Sequence, residues 1–168
     1  PRKRHILNQK GGVCLRKAWI ICLLIPLAVG GLAAWLTMGS MEQFASLAQP
    51  PLSPPGWVFP VAWTALYLLM GAASCLIWHS DALQPEKKGA LTWYALQLAV
   101  NFVWPLLFFG AGEYGIALLW LLLLIILVLI TIAAFGHISR TAAWLLVPYL
   151  LWLLFAAYLN AGVWALNR

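Results

Sequence analysis

In the stretch YALQLAVNFVWPLLFF, the residues Tyr94, Gln97, Asn101, Trp104 and Phe108 recur at intervals of 3, 4, 3 and 4, which places all five on one face of a helix. Uncharged amides are costly against an apolar medium, so that face must look inward. Tyr149, Trp152, Ala156, Asn160, Val163 and Asn167 repeat the pattern, and Trp63, Tyr67, Gly71 and Ser74 form a third stripe. Rings beside fixed hydrogen-bonding groups suit recognition of an apolar guest in a concave pocket. The structural alternative for any single ring is an interfacial aromatic belt or a helix-to-helix bond. Trp63, Trp104 and Trp152 favour a pocket because each shares its stripe with polar or small residues.

Other chemistry is poorly supplied. Glu42, Asp81, Glu86 and Glu113 all fall in breaks or at the ends of apolar runs, so no carboxylate pair is placed for general acid–base work. Cys14, Cys22 and Cys75 show no CxxC spacing, and His5, His79 and His137 lie at or beyond the ends of the runs. Neither a metal site nor a proton relay is expected, and no cofactor is required.

The elements that must position these stripes follow from composition. Of 168 residues, 64% are hydrophobic and 8% charged, far too apolar for a water-soluble domain. Apolar runs cover Ala18–Met38, Trp57–Trp78, Ala90–Phe109, Tyr114–Phe135 and Thr141–Leu166. At about 1.5 Å per residue, each crosses a hydrocarbon core of about 30 Å. Continuous apolarity without period-2 alternation excludes a barrel. The fold expected is an all-α integral membrane bundle of five transmembrane helices. A basic cytoplasmic segment over 1–17 precedes the five-helix domain over 18–168. The first run is too long for the core of a signal peptide, and the small-residue site at Ser46-Leu47-Ala48 lies well beyond its end, so the run reads as a retained helix.

Arg2, Lys3, Arg4, Lys10, Arg16, Lys17, Lys87, Lys88 and Arg140 fall on one side of this arrangement, against Arg168 alone on the other. The positive-inside rule puts the N-terminus in the cytoplasm and the C-terminus outside if the host is a bacterial inner membrane. The net charge of +6 thus reflects topology and contact with the lipid bilayer; no nucleic-acid partner is expected. The outer segment GSMEQFASLAQPPLSPPG, with Phe44, is long enough to be a functional lid. Pro105 should kink its helix and widen the space below, and Gly30-Gly31 with Ala33-Ala34 would permit close helix approach or leave ligand volume.

The segments PPGWVFPVAWTALYLLMGAA, YALQLAVNFVWPLLFFGAGEYGIAL and PYLLWLLFAAYLNAGVWALN resemble the translocator protein family, which comprises the peripheral-type benzodiazepine receptor and the bacterial tryptophan-rich sensory proteins. The match runs from about Gly30 to Asn167. It implies a five-helix bundle, usually a homodimer, that binds porphyrins such as protoporphyrin IX and haem, together with benzodiazepine-type apolar ligands. Trp63, Tyr67, Asn101, Trp104, Trp152, Ala156 and Leu159 match pocket-lining positions, and Phe44 would belong to the lid; Gln97 and Phe108 join them from the stripe. Small residues four apart, here Ala95 and Ala99, match the dimer motif. At LNAGVWALNR the chain departs from the animal cholesterol-recognition pattern, so sterol binding by that motif is not expected.

Three functions compete on this basis. A receptor or sensor of tetrapyrrole status is the first. An enzyme degrading protoporphyrin IX in light, with Trp63 and Trp152 as the reacting residues, is the second. A porphyrin transporter is the third, disfavoured because no inverted repeat or interrupted helix pair is visible.

Overall fold

The computed structural model describes residues 2–40, 44 and 46–167, with side chains from Lys17 onward. Glu42, Arg168 and the side chains of Arg2, Lys3, Arg4, His5, Lys10, Cys14 and Arg16 therefore lie outside the described residues.

Five helices carry the apolar runs: α1 (Arg2–Thr37), α2 (Val58–Trp78), α3 (Gln84–Pro105), α4 (Tyr114–Ile138) and α5 (Arg140–Leu166). Each is long and apolar enough to cross a membrane. Two begin earlier than hydropathy suggests. The α1 helix starts at Arg2, well before the apolar run, and α3 starts at Gln84 because Pro85 and Glu86 occupy its first turn. Proline there loses no helical bond, and an acid there meets the positive end of the helix dipole.

The helices close into a ring in the order α1, α2, α5, α4, α3 and back to α1. Ser139 alone joins α4 to α5: its N–H donates to Phe135 at 2.7 Å, and its hydroxyl accepts from the Ala142 N–H at 3.3 Å. The α1–α2 contact depends on Gly71, where a Cβ would sit 2.7 Å from the Cys22 carbonyl oxygen and 2.8 Å from the Leu23 Cα. Between the helices, Met70, Leu121, Leu124, Phe135, Leu146 and Leu153 form a fully buried interior. Helix α4 turns Leu119, Ile126 and Leu129 outward as a lipid face.

Pro105 does more than kink α3. Beyond it the chain widens into a π-type turn over Leu106–Gly110, closed by Ala111 N–H donating to the Leu106 carbonyl at 2.8 Å. Proline has no N–H to continue the α ladder, and the wider turn is the local solution. Phe108 and Phe109, both on this turn, contact the ring of Phe44.

Candidate functional site

At mid-bundle the carboxamides bond to buried phenols, although Gln97 Nε2 is left without a partner. Tyr67 Oη donates to Asn101 Oδ1 at 2.7 Å, Asn101 Nδ2 donates to Tyr149 Oη at 2.8 Å, and Tyr149 Oη donates to Gln97 Oε1 at 3.0 Å. This chain of bonds ties α2, α3 and α5 together. Gln97 and Asn101 are each 1% exposed, and neither borders the two spaces that adjoin Trp63. The stripe residues Gln97 and Asn101 thus bond to the phenols of Tyr67 and Tyr149, beneath the rings of the same faces.

The aromatic residues do converge. Trp63 is the hub: its ring lies 5.6 Å from Tyr67, 6.3 Å from Trp104 and 6.5 Å from Trp152, centroid to centroid. Trp104 stacks on Phe108 at 5.3 Å. Phe44, from the segment between α1 and α2, reaches into the same cluster and meets Phe108 at 5.6 Å and Phe109 at 5.1 Å.

Two spaces adjoin this cluster. One, of about 20 Å³, is enclosed by Phe44, Trp63, Phe108, Trp152, Ala156 and Leu159, with Trp104 and Asn160 beside them. The other, of about 490 Å³, lies between α1, α2 and α3 and is bounded by Gly30, Gly31, Ala33, Ala34, Trp63, Tyr67 and Pro105, among others. Phe59, Trp63, Trp104 and Phe109 line both, so a single wall of rings separates them. The larger of these two spaces thus lies toward α1, and the smaller, among α2, α3 and α5, is nearly closed with Phe44 in its wall; a further open groove of about 460 Å³ between α2 and α5 borders Trp152 from its other side. Gly30 serves both anticipated roles: it borders the larger space, and its missing side chain makes room for the Tyr67 ring.

Few hydrogen-bonding groups remain for a guest. Trp104 Nε1 donates to Asn160 Oδ1 at 3.3 Å, and Asn160 Nδ2 donates to the Tyr114 carbonyl at 2.8 Å. The buried Trp152 Nε1 has no partner, although it borders the smaller space. A buried unpaired indole N–H costs free energy, and an acceptor on a ligand would recover it. Among the described residues no cluster of His, Cys, Asp and Glu is placed to hold a metal ion.

Sequence reasoning missed Phe59 and Phe109. Phe59 precedes Trp63 by four residues, a signal that was available in the helical period. Phe109 falls outside the 3-and-4 stripe of α3 and lies on the π-type turn, so the stripe did not mark it.

The segment between α1 and α2 is fastened down. Asn167 accepts from the Ala48 N–H at 3.0 Å and donates to the Ala48 carbonyl at 2.9 Å, while Tyr158 Oη donates to the Pro51 carbonyl at 2.7 Å. Gly162 leaves space for Pro50, whose ring would lie 2.5 Å from a Cβ there. The end of α5 therefore holds the segment that delivers Phe44.

Known proteins are similar in sequence to this chain. A profile of the TspO/MBR family matches residues 22–165. The chain is 42% identical over 147 residues to the translocator protein of Bos taurus, covering 86% of this chain and 87% of that protein. It is 35% identical over 153 residues to the tryptophan-rich protein TspO of Chlorobaculum tepidum, covering 88% and 94%, respectively. Similarity extends to protein CrtK of Rhodobacter capsulatus, at 36% identity over 127 residues. With its five apolar helices and a match over most of its length, this chain is an integral, multi-pass membrane protein that belongs to the TspO/MBR family.

Proposed function

We propose that the protein is a membrane receptor or sensor of tetrapyrrole status. It holds porphyrins such as protoporphyrin IX or haem, and benzodiazepine-type apolar ligands, against the Trp63 cluster. The observation that carries this reading is the shared wall: Phe59, Trp63, Trp104 and Phe109 border both an open space of about 490 Å³ and a space of about 20 Å³ that Phe44 also lines. Withdrawal of Phe44 joins the two into a slot lined by flat rings. Volumes of about 300–1,000 Å³ accommodate small ligands, and offset stacking adds about 0.5–1.5 kcal/mol per ring pair beyond area burial. No histidine borders either space, so haem would be held by its ring faces and edge rather than by axial ligation. Charge asymmetry supports an orientation with the lid segment on the outer side.

Quenching of tryptophan fluorescence by protoporphyrin IX tests the reading. Trp63→Ala is expected to weaken binding about tenfold through lost stacking, and Trp152→Phe about fivefold through loss of the free indole donor. Affinity unchanged in both variants would refute it.

The direct contact of Trp63 with Trp104 and Trp152 favours a second reading, light-dependent degradation of a bound porphyrin with Trp63 and Trp152 as the reacting residues. Illumination of the protein with protoporphyrin IX in air decides it. Bleaching no faster than with free tryptophan at equal concentration would exclude this activity.

A further inference from the structure

A second cavity, of about 310 Å³, lies at the opposite end of the bundle between α1, α2 and α3. Cys22 and Ile25 of α1, Ser74 and Trp78 of α2, and Leu91 and Tyr94 of α3 line it. It shares no residue with the spaces around Trp63. Ile21, Ile25 and Trp78 are 56%, 48% and 60% exposed, so the cavity opens sideways on the outer face of the bundle, with Ala95 of the small-residue pair on α3 also in its wall.

One polar group buried in its wall has no hydrogen-bond partner. Tyr94 is only 7% exposed, and its hydroxyl has no hydrogen-bond partner. Ser74, which also lines the cavity, uses its proton on the Gly71 carbonyl at 2.9 Å. A buried phenol without an acceptor is costly in an apolar medium, so an oxygen acceptor brought by an occupant would be stabilising.

Cations gather at the charged rim. Lys17 directly precedes Ala18, another lining residue, and is exposed. Lys87 Nζ donates to the Trp78 carbonyl at 3.2 Å and to the Ser80 carbonyl at 3.0 Å, which fixes its ammonium beside that rim. Lys88 is exposed one turn before Leu91. Along α3 the order Lys87, Leu91, Tyr94, Leu98 follows one helical stripe from charge to hydroxyl to hydrocarbon. From Lys88 to Tyr94 the rise is about 9 Å, and the tyrosine side chain leans back toward the helix N-terminus and the cations.

We propose that this groove is a binding site for one anionic glycerophospholipid of the leaflet at the lysine end. Its phosphate meets Lys17, Lys87 and Lys88, an ester carbonyl accepts the Tyr94 proton, and one acyl chain fills the apolar length toward Ile25 and Leu98. Ordinary annular lipid would need neither the orphaned hydroxyl nor the cations. The site is separate from the porphyrin reading and stands or falls without it.

Native mass spectrometry of the full chain tests this, titrated with phosphatidylglycerol and phosphatidylcholine of identical acyl chains. One phosphatidylglycerol should be retained per chain, about tenfold more tightly than phosphatidylcholine. Tyr94→Phe should weaken both lipids about fivefold, since both carry the ester. Lys17→Gln with Lys88→Gln, both at exposed positions, should cut the preference for phosphatidylglycerol over phosphatidylcholine about threefold or more, and an unchanged preference would overturn the proposal. Equal retention of the two lipids by the unaltered chain would overturn the proposal. So would a Tyr94→Phe variant that binds as the unaltered chain does, or a lipid-free dimer showing that a second copy covers the groove.

Discussion

Asn101 illustrates how a single residue is committed by its surroundings. Its carboxamide accepts from Tyr67 and donates to Tyr149, so both of its polar atoms are engaged far from water. Replacement by alanine strands two phenols and opens a cavity, whereas Tyr67→Phe removes one bond and little volume. Hydrogen bonds between membrane helices contribute on average about 0.6 kcal/mol, and an abandoned buried partner costs about 1–3 kcal/mol. Asn101→Ala is therefore expected to lower unfolding stability in detergent by about 2 kcal/mol, and Tyr67→Phe by less than half of that. Equal losses would show that the network is not shared through Asn101. That the amide face turns inward was legible from the intervals of 3 and 4 residues. Whether it faces a guest or a neighbouring phenol was not, because Tyr149 lies 52 residues from Gln97 in the chain and only packing makes them partners.

At the scale of elements, small residues in α1 and α2 do different work that their identity alone does not reveal. A Cβ on Gly71 would press on the backbone of α1 at Cys22 and Leu23, where nothing flexible can yield, whereas a Cβ on Gly31 would meet no atom within 4 Å. Gly71→Ala is expected to cost about 2 kcal/mol by forcing the helices apart, a typical overpacking cost. Gly31→Ala should leave thermal unfolding in detergent unchanged and merely narrow the open cavity that it borders. Identical midpoints for the two variants would contradict the close α1–α2 contact. Pro105 makes a related point. A distortion in α3 was predictable from the missing N–H, but its form as a π-type turn with both Phe108 and Phe109 against the Phe44 ring was not.

Across the whole molecule, the lid and the last helix act as one device. Asn167 grips both polar atoms of Ala48, and Tyr158 holds Pro51, so loosening this end of α5 frees the segment that seats Phe44. The Asn167→Ala and Tyr158→Phe double variant is expected to raise association and dissociation rates of protoporphyrin IX together, each about fivefold, with little change in affinity, as loss of a latch rather than of a contact would do. Stopped-flow quenching reads both rates, and an altered affinity at unchanged association rate would show that these residues touch the ligand instead. The number of helices, their membrane setting, the charged end and the inward stripes were all determined by the sequence alone, because each reflects a local requirement: apolar length against lipid thickness, backbone bonds closed within a helix, and one face repeating every 3.6 residues. Only the tertiary structure decided which stripe residues meet a cavity, that Phe44 lines the small space among α2, α3 and α5, and that an unpaired Tyr94 hydroxyl borders a second cavity near the lysines. Those outcomes depend on contacts between residues far apart in the chain, and close packing assigns each interior volume to one side chain or to none.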